Sequence, residues 1–362
     1  MSSAVSAPEP AVDPARVEAF AARMGQALND AALVAMCSIG HRTGLFDTLA
    51  RVGAADSGAI AAAAALDERY VREWLAALVT ARVVDYDPKR RHYRLPPEHA
   101  ACLTRAATPN NMAVTCQMVP LMGVLEDRII DRFEHGGGTC YSEYPRFHEV
   151  MAEDSAQTVL AGLFDGILPL IEGLAARLDA GIDVLDAGCG RACALLALAE
   201  RYPRSRFFGY DLCEDAIAHA RGEAQRRGLD NVTLEARDMT GFAETARFDW
   251  ITSFDAVHDQ KDPAGLLRGI AGALRRGGVY LMQDIAGSSY VENNLDHPFG
   301  TFVYTISCLH CMPVSLGQGG AGLGTMWGEE LAEQMLRDAG FTRIDKHKRA
   351  EDPLNVYFVC RR

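Results

Sequence analysis

The stretch VLDAGCGRA, residues 184–192, decides the fold of this chain. Its apolar start, which ends in Asp186, is typical of a buried parallel strand, and Gly188 and Gly190 form a turn into an alanine-rich helix. Glycines in such a turn let the backbone approach a ligand closely, and the acidic residue can accept hydrogen bonds from it. The stretch therefore predicts a strand, a ligand-binding turn and a helix.

The same alternation of strands and helices continues to the C-terminus. Helices are predicted to begin near Ala192, Asp215, Pro263 and Trp327. The predicted strands are IDVLDA, RFFGYD, NVTLEA, FDWITS, GVYLMQDI, FTRIDKHK and NVYFVC. Repeated strand–helix units indicate an α/β fold, a Rossmann-like doubly wound sheet over residues 181–362. Ligands of such sheets bind beyond the carboxyl ends of the strands.

A different pattern fills residues 15–105, where we expect a helical and winged-helix domain. Alanine-rich helices precede DSGAIAAAAAL and DERYVREWLAALVTARVV, two further helices, and VVDYDPKRRHYRL then predicts a β-hairpin. Such a unit binds DNA or mediates dimerisation. We favour dimerisation because the chain has a net charge of −12 and the second helix carries both charge signs.

Between these parts, residues 106–180 are expected to form a helical linker with one break at EHGGGTCYSEYPRF. Three consecutive glycines favour a flexible loop that can close on a substrate, with Tyr144 and Arg146 as candidate substrate-binding residues. Arg146 can hold an anion there, or it can be an ordinary surface arginine.

Composition narrows the class of protein. With 49% hydrophobic and 23% charged residues the chain is expected to be globular, and its acidity argues against nucleic-acid binding. The start MSSAVSAPEPAVDPA does not resemble a signal peptide, and no long apolar run is present, so we expect a cytoplasmic protein without a membrane partner. Ten scattered cysteines suggest reduced thiols. Cys308 and Cys311 form a single C-x-x-C, which favours buried thiols over a zinc site.

The second and third strands add acidic residues at their ends, Asp211 in FFGYDLCEDAI and Asp238 in ARDM. Together with Asp186 and the glycine turn, this order resembles the class I S-adenosylmethionine-dependent methyltransferases. A nicotinamide-binding fold is disfavoured because Cys193 stands where its third glycine is expected. The resemblance implies S-adenosylmethionine as cofactor and these binding residues: Asp186, Gly188, Gly190, Asp211, Leu212, Asp238, Met239 and Phe254. The preceding winged helix is similar to that of small-molecule methyltransferases that form homodimers through it.

The fourth strand is followed by FDAVHDQKD, residues 254–262, which brings His258 and Asp259 to the same edge of the sheet. Asp262 before Pro263 already supplies a helix cap, which leaves the other two side chains available for chemistry. One hypothesis makes His258 a general base for O-methylation that needs no metal. It rests on the similarity of VHDQKD to the LHDWSD pattern of plant-type O-methyltransferases.

The preferred hypothesis adds His310, from HPFGTFVYTISCLHCMPVSL after the fifth strand. Two histidines and a carboxylate are the set that binds one face of an octahedral iron or similar metal. The open positions suit a bidentate α-keto acid, whose β-carbon then accepts the methyl group. Alternatively His310 is an ordinary core histidine. Tyr304, on the same segment, is a candidate substrate-binding residue.

The set His258, Asp259 and His310 is also similar to the metal-dependent α-keto acid C-methyltransferases that make β-methylated amino-acid precursors of peptide antibiotics. The resemblance implies that these three residues bind the metal, iron or zinc, and serve catalysis. A third hypothesis, from another class, is a transcriptional regulator that senses the methyl donor; it requires a basic recognition helix.

Overall fold

The computed structural model describes residues 12–362, so most of the predicted N-terminal start lies outside the described residues. The chain divides into two compact units. The first contains the N-terminal residues up to Ala107 together with Asn111–Gln117, and the second contains Thr108–Asn110 and Met118–Arg362.

The N-terminal unit has the predicted winged-helix pattern. Its helices are α1 (Pro14–Thr43), α2 (Leu45–Val52), α3 (Ser57–Ala64), α4 (Glu68–Thr80), α5 (Pro97–Leu103) and α6 (Met112–Thr115). An antiparallel hairpin of β1 (Asp85–Asp87) and β2 (His92–Arg94) forms the wing. Asp67 caps α4 by accepting from the backbone N–H of Arg69 and Tyr70.

A small aromatic core holds this unit together. Phe46 and Trp74 meet edge to face with ring centroids 5.3 Å apart, and the indole N–H of Trp74 donates to the carbonyl of Met36. Helix α4 pairs its surface charges as i,i+4 ion pairs, Arg69 with Glu73 and Arg72 with Glu68. Its arginines are therefore partly neutralised, which does not favour the recognition helix that a regulator requires.

The second unit is built on one seven-stranded sheet in the order β5-β4-β3-β6-β7-β9-β8. The strands are β3 (Asp183–Ala187), β4 (Arg206–Asp211), β5 (Val232–Ala236), β6 (Phe248–Phe254), β7 (Leu274–Ile285), β8 (Arg343–Arg349) and β9 (Asp352–Arg361). The first five are parallel, whereas β9 runs antiparallel to β7 and β8. This is the predicted α/β class.

Helices cover both faces of the sheet. They include α10 (Leu174–Ala180), α11 (Cys193–Arg201), α12 (Glu214–Arg227), α13 (Pro263–Ala273) and α16 (Glu329–Asp338). One core packs Trp250 and Phe207 against Leu195, and the other packs Ile251 and Tyr280 against neighbouring helices. Both faces of the sheet are buried, as expected when parallel strands are almost continuously apolar.

Shorter helices precede and cross the carboxyl edge of the sheet. They are α7 (Met118–Gly123), α8 (Glu126–His135), α9 (Phe147–Ser155), α14 (Gly300–Ile306) and α15 (Met312–Gly317). Along residues 12–362, no helix combines the length and apolar character needed to cross a membrane. Strands β4 and β6 flank β3, so the connections change direction there and open a crevice for a ligand.

Candidate active site

The strand ends beside this crevice carry two carboxylates. Asp186, in β3, accepts a 2.9 Å hydrogen bond from the Thr252 hydroxyl in β6. Burial, aided by the charge of Asp211, raises the pKa of Asp186 to about 7. Asp211 ends β4 and accepts from the backbone N–H of Gly190 at 2.8 Å and of Cys213 at 2.9 Å. The glycine turn and the second acid are thus joined directly.

The turn itself requires glycine. Gly188 has φ +81°, and a Cβ there would lie 2.5 Å from Cβ of Ala256. Gly190 has φ +53°, and within the described chain no atom comes within 4 Å of where its Cβ would stand. The first glycine therefore permits a close approach, and the second borders open space where a ligand fits.

The other residues predicted to bind the cofactor lie along the same edge. Leu212, 45% exposed, follows β4, and Met239 is buried after β5. Asp238 accepts from the backbone N–H of Thr240 at 2.7 Å, and Phe254 is half-buried at the end of β6. The structure brings these residues to one side of the crevice, and their role as cofactor ligands stays a prediction.

His258 and Asp259 follow β6 and are both buried. Nδ1 of His258 lies 2.7 Å from Oδ1 of Asp284 at the end of β7, which leaves Nε2 directed towards Asp259. Nε2 is 3.3 Å from Oδ1 of Asp259, yet this oxygen makes no hydrogen bond to any described residue. Asp262 caps α13 by accepting from Gly265, so the predicted cap leaves both residues available.

His310 lies in a five-residue π-helical turn, Ser307–Cys311, between α14 and α15. Its Nδ1 is 3.9 Å from Oδ2 of Asp259, so His310 borders the pair that His258 and Asp259 form. Among the described residues, however, the group of potential ligand atoms that all lie within 4.8 Å of one another contains Cys311 and not His310. The ring of His310 stacks on Phe147 with centroids 4.1 Å apart and meets Tyr144 edge on. Nε2 is buried and has no hydrogen-bond partner in residues 12–362. Turns of this kind occur often at functional sites.

The two histidines differ in charge. Burial lowers the pKa of His310 to about 4, so its imidazole is neutral and able to bind a metal. Burial also disfavours protonation of His258, but the carboxylates of Asp284 and Asp259 outweigh it and raise its pKa well above the usual value. The two carboxylates therefore favour the protonated form of His258.

The sequence did not point to two residues of this cluster. Asp284 orients His258. The sequence feature that indicates this role is the position of Asp284 near the carboxyl end of GVYLMQDI. Cys311 was interpreted only as a buried thiol. A nitrogen of His258, a carboxylate oxygen of Asp259 and the sulfur of Cys311 all lie within 4.8 Å of one another.

The three residues that are predicted to bind the substrate lie in different places in the structure. The Tyr144 hydroxyl donates to the carbonyl of Leu309 at 2.6 Å, beside the cluster. The Arg146 guanidinium contacts Glu149 at 2.6 Å, so one carboxylate already engages it. Tyr304 accepts from the amide of Asn294 and borders a groove of about 560 Å³ that also includes Leu295 and Cys308. Substrate binding by these three residues stays a prediction.

The glycine-rich loop is more constrained than a flexible hinge. The backbone N–H of Thr139 donates to the carbonyl of Pro313 at 2.9 Å. A Cβ on Gly138 would lie 2.0 Å from the oxygen of that carbonyl. A Cβ on Gly317 would lie 2.0 Å from the carbonyl of Thr139. Gly138 and Gly317 therefore allow two backbones to touch, which fixes the loop against α15.

We expect Gly317→Ala to destabilise the protein by about 1–3 kcal/mol, because the added methyl group meets backbone that cannot rotate away. Gly222→Ala is the matched control. It lies inside α12, where no described atom is within 4 Å of the new Cβ, and it should stabilise by about 0.5–1 kcal/mol. Denaturant unfolding measures both changes; equal effects would contradict the close crossing.

Comparisons with known proteins agree with this arrangement. Residues 31–105 match the family model described as Rv2258c-like winged HTH domain, and residues 178–340 match that described as methyltransferase domain. A mitomycin 7-O-methyltransferase structure is similar with a TM-score of 0.68 at 18% identity, covering 97% of this chain and 100% of that one. These findings confirm the predicted fold and the predicted methyltransferase domain.

Curated relatives match shorter stretches. A 2-heptyl-1-hydroxyquinolin-4(1H)-one methyltransferase of Mycobacteroides abscessus is 48% identical over 60 residues, which are 17% of this chain and 26% of that protein. A ubiquinone biosynthesis O-methyltransferase of Leptothrix cholodnii is 30% identical over 147 residues, 37% of this chain and 60% of that protein. The chain thus spans less than two thirds of either relative.

Proposed function

We propose that this chain is an S-adenosylmethionine-dependent methyltransferase that methylates the β-carbon of an α-keto acid, with a metal ion held by His258, Asp259 and His310. The product would be a precursor of a β-methylated amino acid. One observation carries this proposal. His258 and Asp259 are buried in contact, yet Oδ1 of Asp259 has no hydrogen bond to any described residue, and neither has Nε2 of the neighbouring His310.

The distances suit a shared ion better than a hydrogen bond. Donor atoms around one ion with bonds of about 2.1 Å stand about 3.0–3.4 Å apart. The 3.3 Å between His258 and Asp259 falls in that range. A buried polar atom left without a partner costs about 1–3 kcal/mol, which a bound cation removes for Oδ1 of Asp259. His258 and Asp259 therefore fit iron or zinc, whereas His310, at 3.9 Å from Asp259, would have to move closer to bind the same ion.

The methyl donor fits the crevice at the other strand ends. Asp211 can accept from the two ribose hydroxyls, and Gly188 and Gly190 let the backbone approach the amino-acid part. Buried Asp186 is suited to a positively charged group of the cofactor. When bound, S-adenosylmethionine supplies an electrophilic methyl group, and the match of residues 178–340 to the methyltransferase domain model supports this choice.

The chain's own residues orient the acceptor. A metal ion, when bound, supplies Lewis-acid chemistry that acidifies the protons beside a keto group. Asp284 fixes the ring of His258 through Nδ1, so that Nε2 faces the site. The hydroxyl of Tyr141 donates to Oδ2 of Asp259 at 3.3 Å and limits its rotation. The aromatic rings around His310 exclude water from this side.

Asp284→Asn tests this orientation. The amide keeps the shape of the carboxylate but not its charge, so we expect metal affinity or turnover to fall about 10–100-fold. Adding metal should recover part of the turnover, which a purely structural defect would not allow. Metal titration and steady-state kinetics measure both quantities, and cofactor affinity should stay unchanged as the internal control.

A second candidate function is O-methylation of a small molecule with His258 as general base. It is favoured by the names of relatives, which include a mitomycin 7-O-methyltransferase and a ubiquinone biosynthesis O-methyltransferase. The pair His258–Asp284 also resembles an oriented base. The preferred proposal is favoured over it by Oδ1 of Asp259, which is buried without a hydrogen bond to any described residue and which a general-base role of His258 leaves unpaired.

Product analysis separates the two candidates. The enzyme is incubated with ¹³C-methyl-labelled cofactor and a panel of aliphatic and aromatic α-keto acids, and the product is examined by NMR. We expect the label on the carbon next to the keto group, coupled to its proton. Label on oxygen, with turnover unaffected by chelators, would favour the O-methyltransferase and sink the preferred proposal.

A homodimer is the partner state we propose. Helix α1 presents exposed apolar side chains at helical spacing: Val17, Phe20, Met24 and Leu28. Such a face is typical of helices that pack against another copy. Light scattering of the full chain at several concentrations tests it, and a monomer at all concentrations would contradict it.

A further inference from the structure

The two cysteines of the C-x-x-C sequence lie at the edge of the site and have different surroundings. Cys308 and Cys311 lie on the same π-helical turn, but they meet different surroundings. Cys308 borders the groove with Tyr304 and Leu309, whereas Cys311 is 5% exposed and lies against His258. The two thiols therefore have separate roles, and only one reaches the cluster at the strand ends.

The sulfur of Cys311 is closer to the cluster than a packing thiol requires. It lies within 4.8 Å of ligand atoms of both His258 and Asp259, and these three residues are all buried. His310 lies farther from the centre of this group, because its Nδ1 is 3.9 Å from Oδ2 of Asp259. Judged by distance alone, the thiol completes the group at least as well as the second imidazole.

One observation beside these distances indicates that this group receives a ligand. Oδ1 of Asp259 is buried without a hydrogen bond to any residue in the described range. The hydroxyl of Thr325 donates to the sulfur of Cys311 at 2.9 Å, so the sulfur is already used as an acceptor. Burial raises the pKa of the Cys311 thiol to about 11, so a bound cation, and not the hydrogen bond from Thr325 alone, would favour loss of its proton.

We propose that Cys311 is a metal ligand, so that the site holds a borderline or soft divalent ion such as zinc, cobalt or ferrous iron rather than magnesium. The inference rests on the metal site of the proposed function. Binding forms one metal–sulfur bond, and the thiol loses one proton to solvent for each ion bound; Nε2 of His258 must also be deprotonated to bind the same ion. Thiolate ligands select these metals over hard cations.

Four protein ligands are compatible with the proposed chemistry. A six-coordinate ion held by His258, Asp259, His310 and Cys311 would keep two positions, which a bidentate α-keto acid would fill. His310 would have to move closer for this, because among the described residues the ligand atoms within 4.8 Å of one another belong to His258, Asp259 and Cys311. The thiolate would be the second anionic ligand beside Asp259, and a further negative charge would weaken the Lewis acidity of the ion. Cys311 thereby moderates how strongly the bound substrate is polarised, in addition to holding the metal.

Cobalt(II) titration of the full-length, metal-stripped protein tests the proposal. A bound thiolate gives an intense near-ultraviolet charge-transfer band, in addition to the weak visible bands of any cobalt site. We expect both in the wild type. Cys311→Ser should keep the visible bands, lose the charge-transfer band and bind metal at least tenfold more weakly, since even outer partners change affinity by about 10–100-fold.

Two further variants guard against misfolding and misassignment. Cys308→Ser, three residues earlier on the same turn, is the matched control and should keep the wild-type spectrum. Thr325→Val removes the hydrogen bond to sulfur and should shift the charge-transfer band without abolishing it. The wild-type spectrum alone is decisive if Cys311→Ser does not fold.

The outcomes separate this inference from the proposed function. Visible cobalt bands without a charge-transfer band in the wild type would overturn the role of Cys311 and leave the three-residue metal site standing. A charge-transfer band that survives in Cys311→Ser would also overturn it. A protein that binds no cobalt, zinc or iron would overturn both this inference and the metal-dependent function.

Discussion

Asp259→Asn is expected to lower turnover at least about 1,000-fold, which corresponds to about 4 kcal/mol of transition-state stabilisation. Asp259 is the residue that both other predicted ligands approach, His258 at 3.3 Å and His310 at 3.9 Å. The amide keeps the size of the carboxylate but loses its charge, so the site should no longer hold a cation. Elemental analysis and steady-state kinetics measure the two losses together.

The control for this variant lies in the same loop. Asp262→Asn changes an equivalent charge, and asparagine caps helices as well as aspartate does, so α13 should stay intact and turnover unchanged. Cofactor affinity should be normal in both variants. An Asp259→Asn enzyme with wild-type turnover would show that this carboxylate has no part in the chemistry.

Asp211→Ala should weaken S-adenosylmethionine binding about 100- to 10,000-fold. The variant would lose the two charge-assisted hydrogen bonds that we propose between Asp211 and the ribose, each worth about 1.5–3 kcal/mol, and every 1.4 kcal/mol changes affinity tenfold. The variant also releases the backbone N–H of Gly190, which loosens the glycine turn. Isothermal titration of cofactor into the full-length protein gives the dissociation constant.

S-adenosylhomocysteine separates the ribose role from a charge effect. It has the same ribose but no positive sulfur, so it should lose affinity by the same factor as the methyl donor. Asp215→Ala, an exposed acid four residues away, is the control and should bind both normally. A loss confined to the charged cofactor would contradict the assignment of Asp211 to the ribose.

Much of the fold could be predicted because local signals agree with global packing. Each parallel strand of the second unit is an apolar run, and β3 and β4 each carry an acidic residue at or near the end. The prediction failed at the start of β7, which begins at Leu274 rather than Gly278. Gly277, with φ +77°, looks like the end of a turn in the sequence, but here it lies within an irregular part of the strand.

The site could be predicted where residues follow strands, and less well where they lie on a helix. His258 and Asp259 come directly after β6, so topology alone places them at the crevice. The segment with His310 contains a π-helical turn, which adds a residue to the turn and rotates everything after it. A prediction from regular 3.6-residue helical spacing therefore could not show which side chains of this segment face the cluster. It could not show that Cys311 does so and Tyr304 does not.

The glycine-rich loop shows a different limit. Three glycines in a row are compatible with a mobile hinge or with a close backbone contact, and the sequence around Gly138 contains no information on its partner. Gly317, far along the chain, supplies the other half of the crossing. Only the tertiary structure could distinguish these two uses of glycine.

Turnover of an α-keto acid by metal-stripped enzyme tests the central claim most directly. The protein is treated with a chelator, its metal content is confirmed by elemental analysis, and methyl transfer is followed with and without added iron or zinc. We predict that the stripped enzyme still binds S-adenosylmethionine, loses methyl transfer, and regains it when one metal ion per chain is restored. Full methyl transfer by enzyme that contains no metal would contradict the account.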